Sequence, residues 1–88
     1  MLIIDESVAA KIHIKHSPLT AEAVREAVVY GRVMRAGWQD SDKHGLRLVI
    51  QSTTFDGLEF IAYLMPANEG DPAEGTFVLK TAFPKPVT

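Results

Sequence analysis

Apolar residues recur every three or four positions up to Gly31 and alternate with polar ones beyond it. The first spacing belongs to helices and the second to strands. Asp5 or Ser7 can cap a helix from Glu6 to about Lys15, with Val8 and Ile12 along one side. Lys11 to Lys15 also alternates as a strand would, and the helix is the preferred reading. A second helix starts at Thr20, a good N-cap, with Glu22 in the first turn where a carboxylate suits the helix dipole. Ala23, Val24, Ala27 and Val28 keep helical spacing, Arg25 falls on the wet side, and Gly31 is expected to end the helix in a left-handed C′ conformation.

The period of two then predicts strands. Arg32 to Gln39 is the first, followed by a polar turn from Asp40 to Gly45. Leu46, Leu48 and Ile50 alternate with Arg47, Val49 and Gln51 in the second. Asp56-Gly57 is a hairpin signal before the nearly continuous apolar run from Leu58 to Met65, which reads as a central strand. A long polar loop from Pro66 to Gly75 leads to a last strand, Thr76 to Phe83, ended by Pro84 and Pro86. The sum is a single α+β domain over residues 1–88: two N-terminal helices, about 5–31, packed on an antiparallel four-stranded sheet, about 32–84.

In that last strand, regular alternation sends Lys80 and Thr81 to opposite faces. Thr81 would then share its face with Phe77, Leu79 and Phe83, and Lys80 with Val78 and Ala82. A bulge or the strand end would be needed to aim both at one cleft.

Size and composition narrow the function classes. A chain of 88 residues buries about 60–65% of its unfolded surface, so its stability is modest. It has no cysteine, which excludes disulfides and thiolate zinc sites and suits a reducing compartment. No leader-like opening and no run long enough to span a membrane occur, so a soluble cytoplasmic protein with no membrane partner is expected. The net charge of −2 is unlike that of a nonspecific nucleic-acid binder. The charges are unevenly placed, however. Arg32, Arg35, Lys43 and Arg47 fall close together, and Glu69, Asp71 and Glu74 gather in the long loop, so an acidic protein can still carry a basic face.

Several side chains are candidates for chemistry, each beside a plainer reading. His16, ahead of Ser17-Pro18, can act as general base or acid, or simply close the first helix. His13 and His44 are weaker candidates. Arg35 and Arg47 can grip phosphate and stabilise developing charge, or serve as solvent-facing strand charges. Thr81 can hydrogen-bond a phosphate or sit at the core edge, with Lys80 as a reserve cation. Trp38, the single tryptophan, can stack on a base or pack between helix and sheet. Lys43 is a further binding candidate or a turn residue. There is no phosphate-cradling glycine loop, no two-histidine metal spacing and no nucleophile elbow, and the acidic loop does not match an EF-hand, so no metal or other cofactor is expected.

Three segments carry a resemblance: Lys11-Ile12-His13-Ile14-Lys15-His16 with the helix start at Leu19-Thr20-Ala21-Glu22, then Gly57 to Ile61, then Leu79-Lys80-Thr81-Ala82-Phe83-Pro84. The first is similar to the opening of BrnT-like toxins and the last to the terminal strand of contact-dependent ribonuclease toxin domains. Together the chain resembles the small bacterial toxins of the barnase–colicin–RelE group. That resemblance implies metal-independent endoribonuclease activity in which His16 is base or acid, Arg35 or Arg47 stabilises the phosphorane, Thr81 binds phosphate and Lys80 is a reserve cation; Trp38 and Lys43 stand beside Lys80 as substrate-binding candidates on their residue type alone. It implies RNA and a cognate antitoxin protein as partners, and a homodimer is compatible with it. Two departures stand out: the chain is acidic, and it lacks the Arg-rich C-terminal segment of BrnT-like chains. The alternative is a noncatalytic protein-interaction domain of the same fold. Convergence of His16, Arg35, Arg47 and Thr81 on one phosphate-sized space favours the enzyme, and scatter over different faces favours the interaction domain.

Overall fold

The computed structural model describes residues 1–31, 33–43, 45–67 and 75–86. Arg32, His44 and the acidic cluster Glu69, Asp71 and Glu74 lie outside the described residues, as does most of the long polar loop. Along the chain come β1 (Leu2–Ile3), α1 (Glu6–Lys15), α2 (Ala21–Val29), β2 (Val33–Ser41), β3 (Gly45–Thr53), β4 (Glu59–Pro66) and β5 (Phe77–Pro84). The strands form one five-stranded mixed sheet in the order β1-β5-β4-β3-β2. The architecture is therefore α+β with two helices, as the sequence indicates, but the sheet has a fifth strand and is not wholly antiparallel.

The extra strand is β1, which pairs parallel with β5 through Leu2 opposite Phe77 and Ile3 opposite Val78. Two residues are too few to show a period, and their partners lie at the other end of the chain. Three polar contacts hold the strand there. The Phe77 amide donates to the Met1 carbonyl at 2.9 Å, the Met1 ammonium donates to the Gly75 carbonyl at 2.9 Å, and the Arg25 guanidinium donates to the Leu2 carbonyl at 2.6 Å. Arg25, placed by pattern on the wet side of α2, instead ties that helix to the strand.

Both helices lie on one face of the sheet, α1 against β5 and α2 against β3. Ile12, Val24 and Ala27 from the helices, and Leu19 between them, meet Ile50, Phe60, Ala62, Leu64, Leu79 and Ala82 from the sheet. Phe60, Leu19, Val24 and Leu79 have no solvent exposure. At roughly 25 cal/mol per Å² of apolar surface, these side chains dominate the stabilisation. Thr20 caps α2 by accepting the Ala23 amide at 3.1 Å. Asp5 stands at the N-cap of α1 without a side-chain cap bond. The peptide between Ser17 and Pro18 is cis.

Gly31 stands at C′, after α2 ends at Val29 with Tyr30 as C-cap, but it does not take the left-handed conformation expected of it. It is needed for a different reason. A Cβ at Gly31 would lie 2.8 Å from the Ala27 carbonyl oxygen, so the chain leaves the helix too close to its last turn for any side chain. Gly57, in contrast, does have positive φ, 94°, and closes the turn between β3 and β4 that Asp56-Gly57 predicts. Thr54, almost fully buried, holds that turn: its hydroxyl oxygen accepts the Leu58 amide at 3.0 Å, and its own amide donates to the Leu58 carbonyl at 2.9 Å.

The face assignments in β5 differ from regular alternation. Tyr63 pairs with Thr81 but Leu64 pairs with Leu79, so Lys80 is an extra residue in the ladder. This bulge lets Leu79 and Ala82, three apart, both be buried among the helices. Thr81 accordingly shares the opposite face with Val78 and Phe83, not with Phe77 and Leu79. Lys80 itself is exposed.

Two outcomes follow from these contacts. Gly31→Ala should destabilise the protein by about 1–3 kcal/mol in urea unfolding, the cost of overpacking against backbone. Deleting Lys80 restores plain alternation with every other β5 residue on its present face, so the deletion should fold and change stability by no more than about 1 kcal/mol. Unfolding of the deletion variant under native conditions would show that the bulge holds more than one extra residue.

Candidate functional site: the helix-free face of the sheet

The face opposite the helices has no layer over it among the described residues. Cross-strand pairing orders its side chains into rows. Arg35, Gln51, Ile61 and Phe83 form one row, each opposite the next on neighbouring strands. Gly37, Val49, Tyr63 and Thr81 form the next. Gln39 and Arg47 pair one step further along, as do Met65 and Val78. The apolar members of these rows on β3, β4 and β5 are half-buried.

A diagonal chain of contacts links the rows. The Arg47 guanidinium lies 4.2 Å from the centre of the Tyr63 ring. Tyr63 is tilted against Phe83 with centroids 5.8 Å apart, and Phe83 against the His16 imidazole at 6.1 Å. Diagonal neighbours on one face of a sheet lie within reach of aromatic and long side chains, and a cation is drawn to the face of a ring. The Arg47 Nε also donates to the Gln39 Oε1 at 2.6 Å, which fixes the guanidinium over Tyr63. His16 reaches Phe83 because it ends α1, its backbone amide donating to the Ile12 carbonyl at 2.9 Å, and α1 lies against β5. The helix-closing role and the place beside the strip are thus held together.

The sequence-derived candidates are divided by this geometry. His16, Arg35, Arg47 and Thr81 all come to the helix-free face or its β5 rim. They do not share one phosphate-sized space. Arg47 is four residues along the ladder from the Phe83 row, about 13 Å at the rise of a strand, and Arg35 is three strands from Phe83, about 14 Å. The arrangement is a strip broad enough for more than one nucleotide. Trp38 is not part of it. It pairs with Leu48 on the helix side of the sheet, is 50% exposed, and contacts Phe77 with centroids 6.2 Å apart. Lys43 lies in the exposed turn between β2 and β3, beyond the Arg47 end of the strip. Lys80 is the exposed bulge residue between Leu79 and Thr81.

From sequence Tyr63, like Trp38 and Tyr30, reads either as a base-stacking ring or as a packed one, and Phe83 reads only as a bulky neighbour on the face of Thr81. The signal that separates them is parity: Phe60, Ala62 and Leu64 share one face of β4, and Ile61, Tyr63 and Met65 the other. Among the described residues no group of three or more His, Asp or Glu side chains is placed to hold a metal ion. No helix among them is long and apolar enough to cross a membrane. Comparison with family models, curated proteins and solved structures finds no match to this chain.

The ring contacts have a direct readout. In Phe83→Leu the His16 ring protons should lose the ring-current displacement imposed by Phe83 and move toward solvent-exposed positions in the proton NMR spectrum, with about 0.5–1.5 kcal/mol of stability lost beyond the change in buried area. Unmoved His16 signals would place the imidazole away from the strip.

Proposed function

We propose that the chain is a toxin-type ribonuclease that lays single-stranded RNA across the helix-free face and cuts it without a metal. The observation that carries this reading is the unbroken run of cation, ring, ring and imidazole from Arg47 through Tyr63 and Phe83 to His16. Rings interleaved with cations are what single-stranded RNA needs, because unpaired bases stack and phosphates require countercharge. The strip also supplies a local positive surface on a chain whose net charge is −2.

In this reading Arg47 and Arg35 hold phosphates of the strand away from the cut, and Thr81, on the same strand as Phe83, donates its hydroxyl proton to an oxygen of the phosphate nearest the His16 end. At the His16 end the imidazole removes the proton of a ribose 2′-hydroxyl. The 2′-oxygen forms a bond to the adjacent phosphorus and the bond to the 5′-oxygen breaks. One product ends in a 2′,3′-cyclic phosphate and the other in a 5′-hydroxyl, the departing oxygen taking its proton from water. An antitoxin would silence the protein by covering the same strip, and its surface there would be acidic and apolar to match.

One observation favours the alternative of a noncatalytic interaction domain of the same fold. Arg47 and His16 are separated by two rings, so the strip has the extent of a binding surface and no single point where all four candidates meet. Incubating RNA with the purified protein and a chelator decides between them. Cleavage with cyclic-phosphate ends is expected, with His16→Ala slower by at least about 100-fold and its thermal midpoint nearly unchanged. Arg47→Ala should weaken RNA binding and flatten its salt dependence. Intact RNA that is still bound through Arg47 would leave a noncatalytic RNA binder, and no RNA binding at all would leave the protein-interaction domain.

A further inference from the structure

We propose that the depression over Gly37 is a nucleobase pocket that receives a purine from the RNA strand; this rests on the RNA reading of the helix-free face. The depression has a volume of about 480 Å³ and opens between Arg35 and Gln39, with Val49, Gln51 and Ile61 beneath. It exists because position 37 has no side chain. Gly37 lies in the second row of the face, where its strand neighbours on the same side are the long Arg35 and Gln39. A Cβ added there meets nothing within 4 Å, and its φ is not in the left-handed region. Neither close packing nor backbone conformation therefore requires glycine at this point of β2. Glycine inside a strand weakens it and leaves room for something to approach.

The lining has the chemistry of a base site. Val49 and Ile61 give an apolar floor against which a planar ring can lie. Gln51 is half-buried, and its side-chain amide has no hydrogen-bond partner among the described residues, so a donor and an acceptor stand side by side at the floor. That pair matches the N7 acceptor and the N6 amino donor of adenine. Gln39 accepts the Arg47 Nε at 2.6 Å through its Oε1, which leaves its amino group as a second donor at the rim. Arg35 stands on the other side of the opening, where a guanidinium plane can cover the base or take its phosphate. The pocket adjoins the strip, since Gly37 and Val49 are in the same row as Tyr63 and Thr81. A strand with a phosphate on Arg47, over Tyr63, thus reaches it with a neighbouring base. A purine covers more of the floor than a pyrimidine, and apolar contact scales with the area covered.

The test fills the pocket without touching the strip. Binding of short labelled oligo(A) and oligo(U) is measured in the His16→Ala background, so that the RNA stays whole. Oligo(A) is expected to bind at least about tenfold more tightly than oligo(U), a difference of the size one good bidentate base contact gives. Gly37→Leu should abolish that preference by weakening oligo(A) far more than oligo(U), and it should fold with an equal or higher thermal midpoint. Gln51→Leu provides a second variant that should lose the preference, whatever the behaviour of Gly37→Leu. Oligo(A) and oligo(U) bound equally, or a preference that survives both substitutions, overturns the pocket and leaves the RNA strip standing. No binding of either oligonucleotide overturns the strip and the pocket together.

Discussion

The pairing of β4 with β5 is the constraint on which the other features depend. β4 is regular: its even-numbered positions from Phe60 to Pro66 are buried and its odd ones half-buried from Ile61 on. β5 must present Leu79 and Ala82 to the helices and Thr81 and Phe83 to the other side, which strict alternation cannot do. One unpaired residue resolves the conflict. With Lys80 as that residue, the core closes around Leu79 and Ala82, α1 finds its place against β5, and Phe83 is left where His16 can meet it. The same local device sets the core and the composition of the helix-free face.

That face is held by its own side chains. A sheet with helices on one side usually shows water a polar second face. Here the rows instead contain Val49, Ile61, Tyr63, Met65, Val78 and Phe83, shielded in part by the arms of arginine and glutamine. The stem of Arg47 covers apolar surface while its charged end sits over a ring, an arrangement that suits a guanidinium better than an ammonium. Such a face leaves its apolar side chains only half covered.

Much of the fold was legible from the chain. The 3.6 period predicted α1 at its observed bounds and the Thr20 cap of α2, and Asp56-Gly57 marked the β3–β4 turn. What escaped had physical reasons. β1 is two residues long and depends on partners more than seventy positions away, so no local pattern announces it. The bulge at Lys80 is invisible to alternation because an inserted residue looks like a change of face. Gly31 looked like a helix terminator but answers to a close approach that only the folded backbone reveals. For the site, residue type was enough to bring His16, Arg35, Arg47 and Thr81 forward. It could not show that two aromatic side chains join them, nor that Trp38 points to the other side of the sheet. Parity within β2 and β3, applied to Arg35, Gly37, Arg47 and Val49, would have placed these four on one face.

β2 ends the sheet, and every one of its described side chains is exposed, Met34 at 57% and Trp38 at 50%. Among the described residues no strand lies beside the backbone amides and carbonyls of its outer edge, and no proline or lysine interrupts the run from Val33 to Ser41. The irregularity between Val33 and Arg35 is the one break in its ladder. The molecule is in this sense unfinished along one side: the outer edge of β2 is where the described sheet leaves room for another strand to pair.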